Sequence, residues 1–178
     1  MLKDYKIQFS GLAEGEHEFS FVLEKPFFDQ FEDEVIRGGR VEVSLVMEKQ
    51  TRMLIFAFGI KGIVDVLCDR CADPLSLAIE GSEQLIARMS ETDESDDDDI
   101  VFIHEDDFEF DLTQHLFDYV HLLLPMRMTH DDSTDGRSCD PEMLRLLKQY
   151  SGAASDPRWS ELAGLSGLKD SGVDSDNQ

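Results

Sequence analysis

The sequence predicts an α+β domain. Its antiparallel sheet, open or barrel-like, occupies the N-terminal two thirds, and C-terminal helices pack on it. Three observations lead there. Apolar and polar residues alternate at period two in "EFSFVLE" (18–24) and "GRVEVSLVMEK" (39–49), which is how half-buried antiparallel strands read. "MLIFAFGIKGIVDVL" (53–67) is nearly continuously apolar, as a central strand is. Beyond residue 110 the apolar spacing becomes helical, and two Asp-Pro pairs appear, a device that opens helices with proline at the first position.

Taken in order, Tyr5 to Phe9 reads as a first strand. In 18–24, Phe19, Phe21 and Leu23 share one face. The stretch 27–39 holds a short helix or a long hairpin connection, closed by Gly38 and Gly39. In 39–49, Val41, Val43, Leu45 and Met47 share a face against Glu42, Ser44 and Glu48, with Val46 the exception. The central strand is bent at Gly59 or Gly62, and 74–89 continues the strand pattern with a bulge or bend at Gly81. "IVFIH" (100–104) is one more strand. Asp111 then caps a helix, with Gln114 at the capping-box position. Leu112, Leu116, Tyr119, Val120 and Leu123 follow at helical spacing until Pro125 stops it. Residues 129–139 form a polar loop. Asp140-Pro141 restarts a helix with Met143, Leu144 and Leu147 on its apolar face, and Asp156-Pro157 opens another. The domain runs over 1–165, with an acidic loop at about 91–99. Residues 166–178 have the Ser/Gly/Asp composition of a disordered tail.

Composition narrows function. Of 178 residues 41% are hydrophobic, enough for a core, and 39 acids against 16 bases leave a net charge of −23. Nucleic-acid affinity comes from Lys and Arg neutralising phosphates, so direct nucleic-acid contact is disfavoured and a basic protein partner is expected. Residues 91–111 alone carry twelve acids and no Lys or Arg. Within them Asp96, Asp97, Asp98 and Asp99 form a solvated or partner-facing loop. They lack the punctuation of a calcium-binding loop. The start of the chain has no apolar signal core and no run is long enough to span a membrane. A reducing cytoplasm is the expected location. Nucleotide-binding, hydrolase and metalloprotease signatures are missing from the sequence, so no catalytic residue is assigned.

The chemistry that remains lies in "DVLCDRCADP" (65–74). Cys68-x-x-Cys71 can be half of a zinc site, a redox pair, or two small apolar residues at a turn. A knuckle of this spacing supplies two of zinc's four ligands, and Cys139 with His130, nine residues before it, could supply the others. Redox pairs of this spacing sit at helix N-termini. Here Pro74 and an alternating "LSLAIE" follow, which weakens that reading, although Arg70 between the thiols favours a thiolate. His115 and His121, six apart, fall on different helix faces and read as satisfied surface histidines. Trp159, the only tryptophan, either packs the last helix or anchors a partner. Arg70 is a further candidate for partner contact.

Three separated landmarks occur in order: "VLCDRCADPL" (66–75), "FDLTQHLFDYVHLLLPMRMTH" (110–130), and "CDPEMLRLLKQY" followed by "DPRWSELAGL" (139–165). Together they resemble the YceD family, the large ribosomal RNA subunit accumulation proteins. "HDDSTDGRSCDPEM" is similar to its Bacteroidetes branch. The resemblance implies a bacterial or organellar cytoplasmic protein without enzymatic activity that supports 23S rRNA accumulation and ribosome biogenesis. Its expected partner is a basic large-subunit ribosomal protein or assembly factor. Many relatives carry a second cysteine cluster after the Leu-Pro motif, which implies structural zinc. In this chain His130 stands where a cysteine is common, and Cys139 is the one thiol left.

Overall fold

The computed structural model describes residues 5–31, 33–90, 100–104 and 106–151. The segments read as strands form them at the expected places: β1 (Lys6–Gln8), β2 (Gly15–Glu24), β3 (Gly38–Gln50), β4 (Met53–Leu67), β5 (Pro74–Met89) and β6 (Ile100–Ile103); a further strand, β7 (Glu109–Asp111), forms where the sequence reads as a lead into the helix. The helices are α1 (Lys25–Phe28), α2 (Thr113–Leu122) and α3 (Pro141–Tyr150), with a 3-10 turn at His130–Asp132. Packing divides the chain into two units, Met1–Asp140 and Pro141–Gln178. In the second, α3 is an amphipathic helix that buries none of its residues.

In the first unit β2-β3-β4-β5-β6 form one sheet in that order, and β1 pairs with β7 in a second. The β2-to-β5 meander is antiparallel, while β6 joins β5 in parallel. The alternation decides the face. Val41, Val43, Leu45 and Met47 on β3 are all buried, and so are Leu54, Phe56, Phe58 and Ile60 on β4. α2 and the β1–β7 pair cover this inner face: Phe56 stacks on Phe110 with centroids 5.1 Å apart, and Phe58 lies 5.2 Å from Tyr119. Burial of Leu116 and Val120 contributes about 1.5–3 kcal/mol each and fixes α2 on the sheet.

Four expectations are corrected. The sheet is not barrel-like: β2 and β6 are its two edges, and β1, the strand that could have bridged them, pairs with β7 instead. Gly81 is no bulge. It pairs in regular register with Ile60, and a Cβ there would stand 2.2 Å from the Leu123 side chain, so the residue makes room for the end of α2. Asp111 does not cap with Gln114. Its carboxylate accepts the Thr113 N–H at 2.8 Å, the cap position falls on Leu112, and the Gln114 side chain donates to Asp118. The connection after β2 begins with the single-turn helix α1, with Pro26 in its first turn, which starts earlier than 27–39. β4 keeps regular register with both neighbours through Gly59 and Gly62, and Gly62 has its tightest approach, since a Cβ there would stand 2.3 Å from the Arg40 carbonyl oxygen. The expected acidic loop at 91–99, the tail and the last helix lie outside the described residues.

Candidate metal centre

β4 and β5 are long paired strands, and their register runs out at Leu67↔Pro74. The six residues between them must turn tightly. The turn closes with the Cys68 N–H donating to the Asp73 carbonyl at 2.9 Å and the Ala72 N–H donating to the Cys68 carbonyl at 2.8 Å. Ala72 is held at φ +59°, a left-handed conformation that costs a non-glycine residue about 1–2 kcal/mol. In this turn both thiols face the same side and the backbone N–H groups point at sulfur: Arg70 N–H donates to Cys68 Sγ at 3.4 Å. The turn is neither at a helix N-terminus nor a helix, as the sequence context indicated.

The segment after α2 returns to this turn. Asp69 N–H donates to the Met128 carbonyl at 2.8 Å, and Met128 N–H donates to the Asp69 carboxylate at 2.6 Å. Arg70 donates to Asp131 at 2.5 Å, so its guanidinium ties the two loops together. The Thr134 N–H donates to the Ser76 carbonyl at 3.1 Å. This lacing brings His130 and Cys139 onto the knuckle.

Cys68, Cys71, His130 and Cys139 are all buried, and their ligand atoms lie within 4.8 Å of one another. Cys68 Sγ is 3.7 Å from Cys139 Sγ, and His130 Nδ1 is 3.5 Å from Cys71 Sγ and 3.6 Å from Cys139 Sγ. The four residues singled out in the sequence are therefore brought together. The His130 ring has a defined orientation: Nε2 lies 3.3 Å from the Pro74 carbonyl oxygen. A carbonyl only accepts, so the proton sits on Nε2 and the Nδ1 lone pair faces the sulfurs, the arrangement of a metal-ligating imidazole. The cluster is compatible with a metal site.

The two knuckle thiols differ. Burial raises Cys68, but backbone N–H groups of Cys71, Arg70 and His130 aimed at its sulfur outweigh burial and lower the thiol to about 6. At Cys71 burial wins over the N–H groups of Asp73 and Asp140, and the neighbouring Cys68 adds to it, so the thiol is pushed up to about 11. The first proton thus leaves Cys68. Without an ion, burial holds the second proton on Cys71, and the neighbouring Cys68 thiolate adds to it.

Of the other candidates, Arg70 is engaged with Asp131, while Asp96, Asp97, Asp98, Asp99 and Trp159 lie outside the described residues. His121 is satisfied as expected: its Nε2 lies 3.0 Å from Asp33 and its Nδ1 3.0 Å from the Phe117 carbonyl. The supporting shell of Asp69, Asp131 and the Pro74 carbonyl escaped the sequence reading. A backbone carbonyl has no sequence signal, and two aspartates among 39 acids carry none either.

The family model described as "Large ribosomal RNA subunit accumulation protein YceD" matches residues 56–166, more than half of the 178-residue chain. The chain belongs to the YceD family. The match starts inside β4 and includes all four residues of the cluster, so the candidate metal centre lies in the part of the chain that the family defines. β2 and β3 precede it. No curated protein and no solved structure matches the chain. No helix among the described residues is long and apolar enough to cross a membrane.

Proposed function

We propose that this YceD-family protein is a non-enzymatic factor that supports accumulation of 23S rRNA during large ribosomal subunit assembly. It acts by binding a basic ribosomal protein or assembly factor. The family membership carries the reading, since the family is described by large-subunit ribosomal RNA accumulation. The charge of −23 supports a protein partner over RNA, because an acidic surface attracts cations and repels phosphate.

The four-residue cluster holds a structural zinc ion in this reading. Zinc–sulfur bonds of about 2.3 Å and zinc–nitrogen bonds of about 2.0–2.1 Å in a tetrahedron set S···S edges of about 3.8 Å and S···N edges of about 3.6 Å. Three of the six edges here are 3.7, 3.5 and 3.6 Å, and all six are within 4.8 Å. Four protein ligands fill the tetrahedron, so none is left for a substrate or a catalytic water, which fits a role in holding loops rather than in chemistry.

The test is a deletion strain with quantified rRNA, together with affinity purification of the tagged protein. Expected are a fall in 23S rRNA relative to 16S rRNA and enrichment of a basic large-subunit protein. Normal 23S rRNA with no ribosomal protein enriched would sink the reading.

A further inference from the structure

The inner face of the five-stranded sheet is covered by α2 and the β1–β7 pair, whereas on the outer face Ser20, Ser44, Val46, Ala57, Lys61 and Ser82 are exposed among the described residues of the Met1–Asp140 unit. We infer that this outer face is the docking surface for a lysine- or arginine-rich extended segment of a protein partner. The inference rests on the assembly-factor reading and assigns the surface through which that factor binds.

The register builds a trough there. Ser20, Ser44, Gly59 and Ser82 are aligned across β2, β3, β4 and β5, so one row of the face has almost no side chain. Ser44 Oγ donates to the Gly59 carbonyl at 3.2 Å and lies flat on the floor. Two hollows of about 530 and 490 Å³ meet at Ser20 and Ser44. Beside the row stand Val22 and Val46. Val46, the residue that broke the alternation of β3, is 37% exposed. Val46 pairs with Ala57 on β4, so one wall of the trough is apolar.

Charge names the occupant. At the outward positions of β2 to β5 acids outnumber bases seven to three. Two of the three bases are already engaged: Lys61 pairs with Glu80 at 3.0 Å, and Arg40 with Glu24 at 2.7 Å, while Arg88 stands away from the trough at the far end of β5. Glu16 and Glu18 have no cationic partner among the described residues. Glu16 stands directly opposite Glu48 in the β2–β3 register, and like charges so placed destabilise a sheet. A cation laid between them removes that repulsion. A second copy of this chain would bring another acidic face and is repelled, as is RNA. Four strands about 4.8 Å apart span about 14 Å, which an extended segment of about five residues crosses at ~3.3 Å per residue.

The experiment is fluorescence anisotropy with the full chain and a fluorescein-labelled decapeptide alternating Lys and Val, at low salt. Wild type is expected to bind it and to ignore an alternating Glu and Val peptide. The double variant Glu18→Gln with Glu42→Gln weakens binding at least tenfold. Ser44→Trp fills the trough at constant charge and weakens it at least fivefold. Removing two charges elsewhere, Glu34→Gln with Asp106→Asn, changes it less than twofold. Unchanged melting curves establish that the variants fold. No peptide binding by wild type, equal losses in the charge control, or full affinity in both trough variants would each overturn the inference, as would binding of a 23S rRNA fragment that depends on Glu18 and Ser44. In cells, if the tagged trough variants recover the same basic protein as wild type, the surface is misassigned while the assembly reading stands. If wild type recovers none and the deletion strain has normal 23S rRNA, the assembly reading itself fails.

Discussion

Stripping the metal from the Cys68–Cys71–His130–Cys139 centre should lower the melting temperature by about 10 °C. The magnitude comes from the loops that a bound ion would close. Cys71 and His130 are 59 positions apart, and cross-linking a loop of that length removes about 4 kcal/mol of chain entropy from the unfolded state. Mass action gives a similar size, about 2.7 kcal/mol for a free ion at 100 times its dissociation constant. A unit of 140 residues melts about 3 °C lower for each kcal/mol lost. The assay is thermal unfolding by circular dichroism of the protein as purified, after chelation, and after zinc is returned, with elemental analysis of each sample. About one zinc ion per chain is expected as purified. Cys139→Ser and His130→Ala should each reduce zinc content and reproduce part of the shift. Stripped and reloaded proteins that melt within about 2 °C of each other would refute the reasoning, because a metal held by these four buried residues would couple its binding to folding.

Two further outcomes test the fold around the site. Gly62→Ala should destabilise the protein by about 3 kcal/mol in chemical denaturation, because its Cβ meets the Arg40 carbonyl oxygen and the Val41 Cα, at 2.3 and 2.5 Å. The usual gain of a few tenths from stiffening the unfolded chain is too small to offset it, and a loss under about 0.5 kcal/mol would contradict the close approach of β3 and β4. Asp33→Asn should destabilise the protein at neutral pH and flatten the acid limb of its stability curve. Burial raises the Asp33 carboxyl, but the N–H groups of Ile36 and Val35 and the His121 ring outweigh it and hold the carboxyl below its ordinary value. A depressed carboxyl contributes stability above its unfolded pKa, near 4, that is lost as the pH falls through the lower folded value. Denaturant midpoints of wild type and variant should therefore converge as the pH falls from neutral through the acid limb, and a gap that stays constant throughout that limb would refute the assignment.

How much of the site could be read in advance depended on the kind of information it needed. The knuckle was legible because Cys68 and Cys71 are neighbours in the chain and their spacing is itself the geometry. His130 and Cys139 were legible as candidate ligands by type, but their convergence on the knuckle was not, since 59 positions separate His130 from Cys71 and no local rule carries a residue that far. Their arrival depends on Asp69 bonding Met128 and on Arg70 bonding Asp131. These side chains look like any other surface charges until the loops meet.

For the fold the division is similar. Strand existence, and which face of each strand is buried, follow from period two alone, and Val41, Val43, Leu45 and Met47 are where the alternation placed them. The sequence likewise determined the acidic character of the protein and the segments that mark its family. Tertiary structure alone decided that the sheet stays open, because β1 finds its partner in β7, which starts about a hundred residues later. It decided that Gly81 clears space for Leu123, and that Val46 faces out beside a trough. Local alternation is set by the geometry of one strand. Edge closure, clearance and the convergence of four ligands are set by contacts between segments far apart in the chain, and those exist only once the whole sheet has formed.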